Sequence, residues 1–158
     1  MGNRAVLTFD NPVTEDSVGI YLHWNGGAES VIAFIEAAGK LGVNMDDPDY
    51  RLARLVQIIG NFFGGSGSIG VDTLKHLDTD NGNNGVFQIL CKEPTDDDCR
   101  WYTLKQSKDG SGGWTDVDVE DIRSKSSYWN TKNKNGTPKT MMLDDIIKVN
   151  KDHFRTSL

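Results

Sequence analysis

The chain has 158 residues, 37% hydrophobic and 25% charged, with a net charge of −6. A chain of that length fits one domain burying about 70% of the surface that its unfolded form exposes. No apolar run reaches the ~18 residues of a membrane helix, and MGNRAVLTFD has no signal-peptide core, so the expectation is a cytoplasmic protein without a membrane partner.

Charge is unevenly spread. Residues 1–122 carry 9 Lys and Arg against 20 Asp and Glu, whereas residues 123–158 carry 8 against 3. An acidic body of this kind repels nucleic acid and suits a basic protein partner. Only the basic stretch RSKSSYWNTKNKNGTPK, residues 123–139, is suited to phosphate contact, with Tyr128 and Trp129 able to stack a base. The preferred reading of this stretch is an exposed, solvated basic loop within the domain.

In chain order, Arg4–Phe9 reads as a short strand and NPVTEDS as a turn. Val18–Trp24 alternates, with Val18, Ile20, Leu22 and Trp24 on one face and Tyr21 and His23 on the other. The two strands are expected to pair as an antiparallel hairpin. From Ala28 the period changes: Val31, Phe34, Ile35, Ala38 and Leu41 follow helical spacing, and Gly42 supplies a stop. A second helix starts sharply, with Asp47 as N-cap, Pro48 in the first helical position and Asp49 in the first turn. Leu52, Leu55, Val56, Ile59, Phe62 and Phe63 form its apolar stripe, ended by Gly64 and Gly65.

Beyond Ile69 strand composition returns. HLDTDNGNNGVFQIL reads as strand, Asn/Gly turn and strand, with Val86–Leu90 as the second arm, and Arg100–Leu104 as a further strand. KQSKDGSGGWTDVDVED reads as an exposed loop that gains structure around Trp114 and Val117–Val119. A last short helix over Thr140–Asn150 places Met142, Leu143, Ile146, Ile147 and Val149 on its apolar side. The fold class is α+β, one domain over residues 1–158, with an antiparallel sheet packed by two central amphipathic helices and a short C-terminal helix.

Two stretches qualify as ligand sites. In YLHWNGG, glycines before a helix can bind an anion, but Glu29 already supplies negative charge there and no GK[ST] follows. His23 faces away from Val18, Ile20 and Leu22, so it can bond a ligand or serve as a base, or else orient the turn. Trp24 and Asn25 have structural alternatives, as a core anchor and a helix cap. NFFGGSGSIGVD can expose N–H groups to an anion or act as a flexible connector, and it follows a helix, whose dipole there has the wrong sign for an anion. Together they nominate His23, Trp24, Asn25, Gly64, Gly65 and Ser66 as ligand-binding residues.

In LDTDNGNNG, Asp78 and Asp80 resemble the opening of a calcium loop, but the twelfth position holds Ile89 where a glutamate is required. Cys91 and Cys99 bracket KEPTDDD and are expected to be reduced thiols, unless neighbouring strands bring them together. No catalytic residue, metal or cofactor is assigned, since no nucleophile motif or ligand cluster is present in the sequence.

GNRAVLTF, IYLHWNGGAESV, ARLVQIIGNFFGGSGSIGVD and LDTDNGNNGVF, taken together over residues 2–90, resemble a family of small proteins encoded on bacteriophages and on conjugative or integrated elements. The resemblance implies a mobile-element setting in a bacterial cytoplasm and brings no reaction with it. Residues 91–158 share no part of it. Small acidic proteins of such elements often inhibit host defence, so the leading expectation is a non-enzymatic binding protein that blocks a host complex. Asp96, Asp97, Asp98, Asp116, Asp118, Glu120 and Asp121 would attract its basic surface. A small-ligand (nucleotide) binder or a small hydrolase using His23 is the alternative.

Overall fold

Six strands form one sheet in the order β3-β2-β1-β4-β5-β6 in the computed structural model, which describes residues 2–65, 67–98, 100–125 and 142–154. The strands are β1 (Ala5–Thr8), β2 (Val18–Leu22), β3 (Ile69–Thr73), β4 (Val86–Cys91), β5 (Tyr102–Ser107) and β6 (Thr115–Asp116). The helices are α1 (Ala28–Lys40), α2 (Pro48–Phe63), α3 (Val119–Lys125) and α4 (Met142–Asn150). The chain is an α+β protein, as its patterning predicts. It divides into two compact units: the described parts of Met1–Gly27 and Gly67–Asp118 hold the strands, and those of Ala28–Ser66 and Val119–Leu158 hold the α-helices.

In the sheet unit, β1 and β2 pair antiparallel as expected, with Val6 opposite Tyr21 and Leu7 opposite Ile20. The sheet is antiparallel apart from one pair: β1 and β4 run parallel, Val6 opposite Val86. LDTDNGNNG is accordingly no hairpin turn. β3 pairs with β2 at the sheet edge while β4 pairs with β1, so residues 74–85 cross over two strands. Asn81, buried, holds this crossover together. Its Nδ2 donates to the carbonyls of Asp78 (2.9 Å) and Gly85 (3.2 Å), and its Oδ1 accepts from the N–H of Asn83 (3.1 Å) and Gly85 (3.0 Å). That uses the full capacity of the amide. Gly85 adopts φ 63°, and a Cβ there would collide with the carbonyls of Ser107 and Lys108.

Register puts Val6, Tyr21 and Val86 on one face, where Val6 and Val86 cluster with Leu74 and are covered by Val13, Tyr21, Leu77 and Trp114. On the other face Ala5, Leu7, Ile20, Leu22 and Phe87 are buried too. β1 is thus closed on both sides, and each fully buried large aliphatic side chain contributes about 1.5–3 kcal/mol. The segment expected to be an exposed loop is a β5–β6 hairpin in part: Ser107 Oγ donates to the Gly112 carbonyl (2.5 Å) and accepts from the Gly110 N–H (2.9 Å).

In the helical unit, the predicted caps are present. Asp47 accepts from the N–H of Asp49 (3.1 Å), and Gly42 and Gly64 are left-handed, φ 82° and 67°, at the ends of α1 and α2. Phe34, Phe62 and Phe63 make a ring cluster with centroids 5.4–6.2 Å apart. Buried Asn150 ties α4 to α2: its Nδ2 donates to the carbonyls of Ile58 (3.2 Å) and Ile146 (2.8 Å), and its Oδ1 accepts from Asn61 Nδ2 (2.8 Å). Val149, expected on the apolar side of this helix, is 45% exposed. Helix α3 was not anticipated, although Glu120 and Asp121 in its first turn and Arg123 and Lys125 in its last are the charges that a helix dipole favours.

Candidate functional site

Strand β2 ends at Leu22, but its alternation carries on for one residue, so Tyr21 and His23 share a face and meet: Tyr21 Oη lies 2.9 Å from His23 Nδ1. The N-terminal residues clamp this end. Asn3 N–H donates to the His23 carbonyl (2.9 Å), Gly26 N–H donates to the Asn3 carbonyl (2.8 Å), and His23 N–H donates to the Ser68 carbonyl (2.8 Å). The approach is close enough to require glycine on both sides. A Cβ at Gly2 would sit 2.6 Å from the His23 carbonyl oxygen, and one at Gly26 would sit 2.6 Å from that of Asn3. Asn25 turns the chain with φ 57°, a left-handed conformation that Asn tolerates. GNR and HWNGG therefore explain one another.

Arg4 joins a third stretch to these two. Its Nη1 lies 3.1 Å from Asp78 Oδ2, and its Nε and backbone N–H both donate to Asn83 Oδ1, at 2.9 and 3.1 Å. Asn84 Nδ2 donates to Asn3 Oδ1 (2.6 Å) and to the Arg4 carbonyl (3.0 Å). Burial and then the Asp78 carboxylate push the Tyr21 hydroxyl above its ordinary pKa, with Arg4 opposing them. The phenol therefore stays protonated at neutral pH and can donate to His23. Trp24 stands at the end of this row, edge-on to the His23 ring at 5.0 Å and 46% exposed.

No family model, curated protein or solved structure matches this chain.

What the row can do follows from its composition. Trp24, His23, Tyr21 and Arg4 form a half-exposed strip of large rings and one guanidinium, seated on backbone hydrogen bonds. The Arg4–Asp78 pair is itself exposed enough to contribute only ~0–1 kcal/mol to stability. Trp, Tyr and Arg are the side chains that most often dominate binding energy at protein surfaces.

Of the ligand-binding residues predicted, His23, Trp24 and Asn25 lie in this strip. Trp24 is not the core anchor that alternation allows, because β2 has ended before it. Asn25 serves the turn. Gly64 and Gly65 lie in the helical unit, where they end α2 with left-handed φ of 67° and 87°, and Ser66 lies outside the described residues. The strip residues that sequence reasoning missed are Arg4, Tyr21, Asn83 and Asn84. No local pattern marks them, since the stretches GNRAV, YLHW and DNGNNG meet only in the fold.

The seven predicted attraction residues are divided. Asp96, Asp97, Asp98, Asp116 and Asp118 are in the sheet unit, Glu120 and Asp121 in the helical unit. Asp98 pairs with Lys92 (2.6 Å), Asp116 with Lys105 (3.7 Å), Glu120 with Arg123 (3.6 Å) and Asp121 with Lys125 (2.9 Å). Asp96 and Asp97 are exposed. Among the described residues no three His, Cys, Asp or Glu gather as metal ligands, and Asp78 is turned to Arg4. His76 is bonded to Asp72 (3.3 Å). Cys91 is half-buried, and Cys99 lies outside the described residues, as do Tyr128, Trp129 and most of the predicted basic loop 123–139, whose residues 123–125 belong to α3.

Proposed function

We propose that this chain is a non-enzymatic binding protein of a phage or mobile element, which occupies a surface of a host defence complex through the Trp24 strip. The observation that supports the reading best is the convergence of three separated stretches on one end of the sheet. Arg4, Tyr21–Trp24 and Asp78–Asn84 are held together there by backbone and side-chain hydrogen bonds, with Trp24 left exposed. A rigid seat under an exposed tryptophan reduces the entropy lost on binding, which is what a contact residue needs. The net charge of −6 supplies long-range attraction to a basic partner, and exposed Asp96 and Asp97 contribute to it. The resemblance of residues 2–90 to mobile-element proteins supplies the host-defence setting.

The test is co-purification from a bacterial host lysate with tagged wild-type chain and with Trp24→Ala. The expected result is one partner retained by wild type, reduced about tenfold or more by Trp24→Ala and weakened as salt rises. Equal retention by both chains, or retention insensitive to salt, contradicts the proposal.

A further inference from the structure

We propose that the helical unit carries a separate cleft for a small organic anion with a flat apolar body. The cleft has a volume of about 450 Å³, within the range of small-molecule sites. Three of its residues, Tyr50, Arg54 and Gln57, stand at i, i+4 and i+7 on α2, which places them along one helix face. The turn after α1 adds Leu41 and Val43 as an apolar back wall, and His153 approaches from the segment after α4.

The charge of this wall is what points to an anion. In a chain with 23 acidic and 17 basic residues, the cleft is lined by an arginine and a histidine and by no carboxylate among the described residues. Arg54 forms no ion pair with another described residue. Its one side-chain bond to a described residue runs from Nη1 to Gln57 Oε1 at 3.0 Å, which leaves the rest of the guanidinium fork for a ligand. A second cleft, of about 490 Å³ in the sheet unit, shows the contrast: its Lys75 lies among Glu15 and Asp109 and is paired with Asp16 at 3.1 Å. Arg54 suits a carboxylate or phosphate, which it can take with two parallel hydrogen bonds. The Tyr50 ring, 58% exposed, and the Leu41–Val43 wall suit a planar body beside it.

Isothermal titration of the full chain tests this with AMP, 2-naphthoate, adenosine and inorganic phosphate. The expected result is a Kd below about 1 mM for AMP or 2-naphthoate, with adenosine and phosphate each about tenfold weaker or more. AMP alone identifies a phosphate ligand, 2-naphthoate alone a carboxylate ligand, and both together the shared anion chemistry. Arg54→Gln should weaken the bound probe about tenfold or more, Arg54→Lys should restore part of the loss, and Trp24→Ala should leave it unchanged. If Arg54→Gln does not melt like wild type, Tyr50→Leu replaces it and should weaken the probe severalfold. No binding of AMP or 2-naphthoate, or affinity unchanged in the folded variant, overturns the proposal.

Discussion

Asn81→Ala removes four hydrogen bonds at once, and their surroundings decide what that costs. The carbonyl of Gly85 keeps the N–H of Val6 (2.9 Å), and Asn83 is exposed, so water replaces what those groups lose. The N–H of Gly85 is different. It is buried, its partner is Asn81 Oδ1 at 3.0 Å, and an unsatisfied buried donor costs about 1–3 kcal/mol. With the lost bond to the Asp78 carbonyl added, the expected destabilisation is roughly 2–4 kcal/mol. Urea unfolding should show a lower midpoint with an unchanged slope, which separates lost stability from a change in the unfolded state. The same loop carries Asp78, Asn83 and Asn84 to Arg4, so the amide signals of Arg4 and Asn84 should shift as well. A loss below about 0.5 kcal/mol would mean that the crossover does not depend on this amide.

Two further results are expected. Gly85→Ala should destabilise more than Gly64→Ala in parallel melts: both residues are left-handed, but a Cβ meets carbonyls at Gly85 and open space at Gly64, where only the left-handed backbone costs about 1–2 kcal/mol; equal losses would contradict this. Asp72, Asp98 and Asp109 are held below the usual carboxylate range, first by the Thr73 N–H, the Lys92 ammonium and the Ser111 N–H respectively. Their contribution is present above the unfolded value of about 3.9 and is lost as pH falls through the lower folded values, so stability should decline below about pH 4. NMR titration should find all three ionised where a free aspartate is half protonated, and midpoints at or above 3.9 would contradict the assignment.

Helices α1, α2 and α4 were legible in the sequence because their signals are local: Asp47, Pro48 and Gly64 act within one or two turns of themselves. The N-terminal hairpin was legible for the same reason, since its two strands alternate and a turn separates them. Pairing β1 with β4 was not, because nothing in AVLT or VFQILC states which neighbour or direction it takes. DNGNNG carries the composition of a hairpin turn, and only the buried position of Asn81 shows that its amide braces a crossover instead. The strip was half legible. His23 stood out by having no place on the apolar face, whereas Arg4 meets partners 74 and 79 residues away that no periodicity connects to it. Alternation also allowed Trp24 a place in the core, because it says which side a residue faces and not where the strand stops.

Whether a host protein docks at the Trp24 strip can be read by site-specific photo-crosslinking. A photoreactive amino acid that keeps a large aromatic ring replaces Trp24 in one chain and, as a control, Val149 in another, the two positions being similarly exposed at 46% and 45%. One host-protein adduct is expected from position 24, lost when unlabelled wild-type chain competes, and none from position 149. The same adduct from both positions, or none from position 24, would contradict docking at the strip.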